Sequence, residues 1–429
     1  MDRIEISKAN VLKGSVSIPP DKSISHRAIL FSSIAKGKSF VKNILRAGDI
    51  DATLEACRSL GVSIEDHGDH VIIHGKGLHG LSEPANIIDC GNSGTTLRLI
   101  SGILAAHPFF SVLTGDESLR KRPMARIIEP LSLMGADIKA RGGNQFPPLG
   151  IRGNQLKPIT YTMPIASAQV KSSLLLAGLF TDGITEITEP VQSRDHSEKM
   201  LSFLGADITV KDMQITVRGG KDLRASEISV PGDFSSAAFF IIAALMIPSS
   251  EITLKKVGIN PTRTGLLTIL QQMGARIEVT NIHDVSGESV ANISCTGMDR
   301  LQAVHIKKEM IPSLIDEVPI LCVISALADG TTTIRGAEEL RVKESDRIAS
   351  MASELRKMGV TIEEYPDGIS IQGPADLRGA TVDSYGDHRI AMALAIAALA
   401  AEGTTTIRGC SAVNISFPGF FDAIRSIVR

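Results

Sequence analysis

The sequence predicts an α/β chain of two domains, each built from three units of strand, helix, strand, helix, strand, strand. Three observations carry this: a helix-end motif that recurs five times, a seven-residue identity between two strands, and a last helix that lacks its closing strand.

The motif is an apolar-periodic helix ending in Leu-Gly or Met-Gly, then an alternating strand. Its copies are Leu60-Gly61-Val62-Ser63-Ile64, Met134-Gly135-Ala136-Asp137-Ile138, Leu204-Gly205-Ala206-Asp207-Ile208, Met273-Gly274-Ala275-Arg276-Ile277 and Met358-Gly359-Val360-Thr361-Ile362. Glycine suits the left-handed position just past a helix, and a period of two marks a strand. The glycines fall roughly 70 to 85 residues apart, longer than a simple solenoid repeat. Between copies, Gly330-Thr331-Thr332-Thr333-Ile334-Arg335-Gly336 returns letter for letter at Gly403-Thr404-Thr405-Thr406-Ile407-Arg408-Gly409. The final helix, 420–428, has no strand after it, and Ile4-Glu5-Ile6 is the natural piece to complete its unit. The termini therefore share one domain, 1–19 with 233–429, and 20–232 is an unbroken insert. Proline interrupts regular structure at both crossovers, Pro19-Pro20 and Pro231-Gly232.

Composition narrows the function. With 43% apolar and 21% charged residues in 429, the chain is an ordinary globular protein with room for sizeable cores. A formal charge of -2 gives no field to recruit nucleic acid or an anionic membrane, so a local group of bases must hold any anionic ligand. Trp is absent and Tyr numbers 3, which argues against stacking platforms for bases. Cys57, Cys90, Cys295, Cys322 and Cys410 are scattered, odd in number and form no C-x-x-C, which reads as reduced thiols in the cytoplasm. The first residues lack the apolar core of a signal peptide, and the longest apolar run, 390–401, is too short to span a bilayer. A cytoplasmic monomer with no membrane or nucleic-acid partner is expected.

Two motifs fail on context. Gly75-Lys76-Gly77-Leu78-His79-Gly80 spells the dinucleotide fingerprint, but Leu81-Ser82-Glu83-Pro84 does not open the helix that such a site needs. His67, His70, His74 and His79 crowd together around Gly68-Asp69, a pattern of an exposed hairpin rather than of a metal site.

The informative segments place bases or carboxylates beside small residues at strand-to-helix turns. Asp21-Lys22-Ser23-Ile24-Ser25-His26-Arg27 precedes a helical run over 28–35, with Asp21 as its cap and Lys22 and Ser23 facing an anion. Gly91-Asn92-Ser93-Gly94-Thr95-Thr96-Leu97-Arg98 opens a helix to Leu104, its glycines allowing backbone amides close to a phosphate or carboxylate. Arg120-Lys121-Arg122-Pro123 packs three bases that repel one another unless an anion binds. Ser167-Ala168-Gln169 opens the helix to Leu179 with groups suited to a polyol, and Ser193-Arg194-Asp195-His196 adds a base at another helix start. Asp316-Glu317 lies in an apolar stretch, 311–327, where an acid needs a partner or a raised pKa. Arg341-Val342-Lys343-Glu344-Ser345-Asp346-Arg347 reads as a helix face with Lys343 and Arg347 at i, i+4. Asp387-His388-Arg389 stands just before an apolar helix from Ile390. The bland reading of each is a helix cap or a solvated ion pair, which are commoner uses of these residues.

Taken together, in order and separation, these segments resemble the signatures of the 5-enolpyruvylshikimate-3-phosphate synthases over nearly the whole chain. The resemblance implies a two-domain inside-out α/β barrel of six βαβαββ repeats, the enolpyruvyl transferase fold. It implies transfer of the enolpyruvyl group of phosphoenolpyruvate to the 5-hydroxyl of shikimate-3-phosphate, in chorismate and aromatic amino acid biosynthesis, without a cofactor or metal. On that resemblance Lys22, Ser23, Arg27, Ser167, Ala168, Gln169, Ser193, Arg194 and Lys343 contact shikimate-3-phosphate. Lys22, Gly94, Arg122, Arg347 and Arg389 cradle phosphoenolpyruvate, and Asp316 and Glu344 are the acid/base carboxylates, assisted by Lys22, with Asp316 also among the substrate-binding residues. Two positions depart from one branch of the family, a target of glyphosate: Leu99 follows Arg98 in place of proline, and no lysine precedes Phe417-Pro418. The second leaves one fewer cation for phosphoenolpyruvate. A sister family that uses UDP-N-acetylglucosamine carries a reactive cysteine in the loop matching 114–124, where this chain has none. A non-catalytic anion-binding scaffold would need the bases but not Asp316 with Glu344.

Overall fold

Six pairs of helices organise the computed structural model, which describes residues 2–429. They are Lys22–Ser33 (α1) with Gly48–Ser59 (α2), Gly94–Leu104 (α3) with Ala125–Leu133 (α4), Ala168–Gly178 (α5) with His196–Phe203 (α6), Phe234–Met246 (α7) with Gly265–Gln272 (α8), Val318–Ser325 (α9) with Arg347–Lys357 (α10), and His388–Ala400 (α11) with Phe420–Ile427 (α12).

The two members of a pair differ in burial. The leading helix is buried on all faces: every residue of α7 and α9, and α1 from Ile24 onward. In α7 and α9 a composition of small and apolar residues all round permits nothing else. The second helix is amphipathic. In α8, Leu266, Ile269 and Leu270 are buried at i, i+3, i+4 spacing.

The recurring Leu-Gly or Met-Gly is a Schellman end. Gly61, Gly135, Gly205, Gly274 and Gly359 have φ of 84°, 102°, 92°, 92° and 96°, which a side chain would strain. At α2 the Gly61 amide donates to the Arg58 carbonyl at 2.9 Å and the Val62 amide to Cys57 at 3.1 Å. The same double bond closes α4, α6, α8 and α10, for example Ala136 to Leu131 and Ala275 to Leu270.

Each helix pair has a sheet: five share one order, a parallel pair followed by an antiparallel hairpin, and the sixth has three strands, a parallel pair and one antiparallel strand. Ile88–Asp89 runs parallel to Phe110–Thr114, which pairs with Phe146–Arg152 and then Asp137–Ala140. The two identical heptapeptides hold the same place in two sheets. Gly330–Ile334 lies between His305–Ile306 and Gly368–Gly373, and Thr404–Arg408 between Thr381–Asp383 and Arg3–Ser7. The last pairing is antiparallel, with Ile4 opposite Ile407, so the N-terminal strand closes the unit whose final helix has no strand after it. Helices buried inside and half-exposed strands outside make this the inside-out form of an α/β barrel.

Two compact units result. Unit 1 comprises residues up to Pro19, Pro231–His283 and Ser289–Arg429; unit 2 comprises Pro20–Val230 and Asp284–Glu288. Each has its own core, that of unit 1 including the edge-to-face rings of Phe239, Phe240, Phe417 and Phe420. Among the described residues no helix is long and apolar enough to cross a membrane.

Three local expectations need correcting. Helix α1 starts at Lys22 and not at 28, because Asp21 accepts from the Ile24 amide at 2.8 Å and so fixes the first turn six residues earlier. Asp387 likewise caps α11 by accepting from the Arg389 amide at 2.8 Å, so His388 and Arg389 belong to the helix. The segment 341–347 is not one helix face. A 3₁₀ turn, Glu338–Val342, ends there, Lys343 is extended, and Asp346 caps α10 at the Ala349 amide, 3.0 Å. Lys343 and Arg347 therefore share no helix.

Candidate active site

Several of the sequence-selected residues lie at the N-terminal ends of leading helices, where unpaired amides and the helix dipole favour anions. In unit 2, Lys22 and Ser23 are the first residues of α1, Gly94 the first of α3, and Ala168 and Gln169 the first of α5. Ser93 and Ser167 cap α3 and α5, accepting from Thr96 and Val170. A buried chain ties these ends: His26 Nδ1 to Thr53 Oγ1 at 2.7 Å, Thr53 to Thr96 at 2.6 Å, and Thr96 to the Ser93 cap at 2.7 Å. Burial pushes His26 down to about 3, so it stays neutral at pH 7.

Basic side chains in this unit are held in fixed directions. Lys22 pairs with Asp49 in the first turn of α2. Arg98 donates to Gln169 Oε1 at 2.5 Å and to the Pro123 carbonyl at 3.3 Å, while Gln169 donates to Thr95 Oγ1 at 3.0 Å. Arg122 donates to Asn92 Oδ1 at 2.7 Å and Ser118 Oγ at 3.3 Å. A Cβ on Gly94 would lie 2.9 Å from Arg98 Nη1 and 3.5 Å from Arg122 Nη1, so glycine is what lets two guanidiniums converge on this helix end. Arg27 is 3% exposed and donates to Ser197 Oγ, Ser172 Oγ and the Ser23 carbonyl at 2.8, 2.9 and 2.9 Å. Burial, opposed by Glu198 and Asp21, brings it down to about 10, still charged at neutral pH. Arg27 thus fastens α1 to α5 and α6. The basic loop is not left to repel itself: Lys121 pairs with Glu117 at 2.7 Å beside the contacts of Arg122. Ser193 and Arg194 precede α6, with Ser193 bonded to Glu189.

Unit 1 gathers Asp316, Glu344, Arg347 and Arg389 with Asp387. Arg347, 2% exposed, donates to Asp387 Oδ2 at 2.8 Å, Glu344 Oε2 at 2.6 Å and Asp316 Oδ1 at 3.3 Å. Burial opposes its charge, but Asp387, Glu344 and Asp316 hold its pKa above the usual arginine range. Burial pushes Asp387 up, and Arg347 outweighs it to keep that carboxyl low. Arg389 donates to the Asp316 carbonyl at 3.0 Å and lies 3.5 Å from Asp316 Oδ2. Asp316 sits on a 3₁₀ turn, Ile315–Glu317, that leads into α9, and buried Glu317 accepts from Ser235 Oγ. Lys343 lies 3.6 Å from Glu339; burial lowers its pKa against the pull of Asp316 and Glu339.

The two discounted motifs stay out of these clusters. After strand His70–Lys76 no helix opens before Gly94, and His67 and His70 stack at 4.8 Å while His74 bonds Glu65 at 2.5 Å. Sequence reasoning gave no individual role to Arg98 or Asp49, which orient Gln169 and Lys22, and took Asp387 as part of a capping or binding segment without its bond to Arg347. It also passed over Lys171, although a lysine amid Val170, Ser172, Ser173 and Leu174 on a leading helix signals a paired buried charge.

Comparison with known proteins gives the family and the fold. The family model for EPSP synthase (3-phosphoshikimate 1-carboxyvinyltransferase) matches residues 6–424. A 3-phosphoshikimate 1-carboxyvinyltransferase of Thermodesulfovibrio yellowstonii is 53% identical over 100% of both chains, and one of Syntrophomonas wolfei is 54% identical over 97% of both. A solved EPSP synthase from Acinetobacter baumannii superposes with a TM-score of 0.90 at 45% identity, covering 100% of this chain and 98% of that one. The enolpyruvyl transferase NikO from Streptomyces tendae, at 18% identity and a TM-score of 0.81 over 99% and 97% of the two chains, shares the fold. From the Schellman-ended repeats to the arginine clusters, the chain belongs to the EPSP synthase (3-phosphoshikimate 1-carboxyvinyltransferase) family of transferases.

Proposed function

We propose that the chain transfers the carboxyvinyl group of phosphoenolpyruvate to the 5-hydroxyl of shikimate-3-phosphate by addition and elimination, with binding and proton transfer divided among the residues of the two units. The two substrates bring two phosphates and two carboxylates, which call for four or more fixed cations. The helix ends of unit 2 supply most of them. Lys22, Ser23, Arg27, Ser167, Ala168, Gln169, Ser193 and Arg194 serve shikimate-3-phosphate, with Lys343 of unit 1. Gly94, Arg122 and Lys22 serve phosphoenolpyruvate, with Arg347 and Arg389 of unit 1.

Asp316 takes the proton of the 5-hydroxyl as its oxygen bonds to C2 of phosphoenolpyruvate. Glu344, with Lys22 on the phosphate side, delivers a proton to C3, giving a tetrahedral intermediate. Return of that C3 proton and loss of phosphate from C2 restore the double bond. The observation that carries this assignment is the placement of Asp316 and Glu344 on one guanidinium, at 3.3 and 2.6 Å, beside Arg389. The five cysteines are buried free thiols, which supports a cytoplasmic setting, and we take the working form to be the monomer.

Phosphate release from phosphoenolpyruvate is the test, with shikimate-3-phosphate and UDP-N-acetylglucosamine offered as acceptors in parallel. Release with shikimate-3-phosphate alone is expected. Release with UDP-N-acetylglucosamine alone, or with neither, rejects the reading.

A further inference from the structure

The segment 189–195 carries Ser193 and Arg194 but has neither strand nor helix to hold it. Three bonds to buried charges take that place. The Ser193 hydroxyl donates to Glu189, its amide lies 3.4 Å from Glu189 Oε2, and its carbonyl accepts from Lys171 Nζ at 3.4 Å. Lys171 also meets Glu189 Oε2 at 2.8 Å and Glu198 Oε1 at 2.6 Å. An ammonium has three protons, and here it has three acceptors. The side chains of Lys171, Glu189 and Glu198 are 1%, 2% and 4% exposed. Burying three ionisable groups is costly, and an apolar trio would pack at least as well, so stability alone does not account for them.

Their placement offers an account. Lys171 is one turn into α5, just past Ser167, Ala168 and Gln169, and Glu198 is in the first turn of α6. The trio therefore joins the N-terminus of α5, the Ser193–Arg194 segment and the start of α6. We infer that Lys171, Glu189 and Glu198 are positioning residues that set Ser193 and Arg194 in register with Ser167–Gln169 for the sugar-phosphate substrate. This rests on the binding role proposed above for those residues.

The test is steady-state kinetics of Lys171→Met and Glu189→Gln beside the parent enzyme, with shikimate-3-phosphate and phosphoenolpyruvate varied separately. Lys171→Met is expected to raise the KM for shikimate-3-phosphate about tenfold, the equivalent of one lost bond to a charged group. The KM for phosphoenolpyruvate and kcat stay within about twofold, since no reacting atom is touched. Glu189→Gln keeps an acceptor for Ser193 but not the charge, and about a threefold rise is expected. It is nearly isosteric, so it decides the matter if Lys171→Met does not fold. A fall in kcat alone, as from a smaller folded fraction, or equal changes in both KM values, overturns the positioning role. An inactive parent enzyme would refute the reaction itself, whereas an active parent with an unchanged Glu189→Gln refutes this inference alone.

Discussion

Within unit 2 the guanidiniums of Arg27, Arg98 and Arg122 donate to serine hydroxyls, Gln169, Asn92 and main-chain carbonyls, whereas in unit 1 Arg347 donates to three carboxylates. Bonds of this kind orient a guanidinium, which suits a group proposed to hold a substrate anion. Bonds to carboxylates instead pair the charge: Arg347 holds the Asp387 carboxyl low and sets Asp316 and Glu344 on the same cation. We propose that the first set serves binding and that the carboxylates around Arg347 serve proton transfer, and four experiments can break or sharpen this.

The largest effect should come from Asp316→Asn, which keeps the shape but not the base; kcat is expected to fall by about 10²–10⁴-fold in the phosphate-release assay. Arg347→Met should act next, on stability. It leaves Asp387, Asp316 and Glu344 without their shared cation, and urea unfolding should show a loss of about 3–5 kcal/mol, the usual result of breaking a buried pair. Arg122→Ala comes third. It should raise the KM for phosphoenolpyruvate about tenfold or more and that for shikimate-3-phosphate far less; equal increases would dissolve the proposed split.

The smallest effect concerns His26, which holds the helix ends of unit 2 together as a neutral ring. Its folded pKa of about 3 lies below the ordinary 6.5, so the unfolded chain takes up a proton that the folded chain refuses. Its contribution is full above about pH 6.5 and declines as pH falls toward 3. His26→Asn should flatten that part of the stability profile, measured as the urea midpoint between pH 7 and 4.

The repeat was legible because its signal is local. A Schellman end needs glycine at one position and leaves its mark within six residues, so five copies can be read directly. The cap at Asp21 was legible for the same reason, whereas those at Ser93 and Ser167 were not singled out. The start of α1 was misplaced because a run with Lys22, Ser25, His26 and Arg27 looks like a loop, and burial of His26 and Arg27 inside the unit is a tertiary fact. The i, i+4 spacing of Lys343 and Arg347 misled, since Asp346 starts a helix between them. Long-range partners left no trace in the sequence: Arg347 bonds acids 31 and 40 residues away, and Lys171 an acid 18 residues away. A lysine within an apolar helix says that a partner exists, not which one.

The division between binding and chemistry is tested most directly by calorimetric titration of shikimate-3-phosphate into Asp316→Asn. The account predicts an affinity within about threefold of the parent enzyme while turnover is lost, since Asp316 acts on the hydroxyl proton and not on the phosphate or carboxylate. Loss of binding together with turnover, or retention of both, would contradict it.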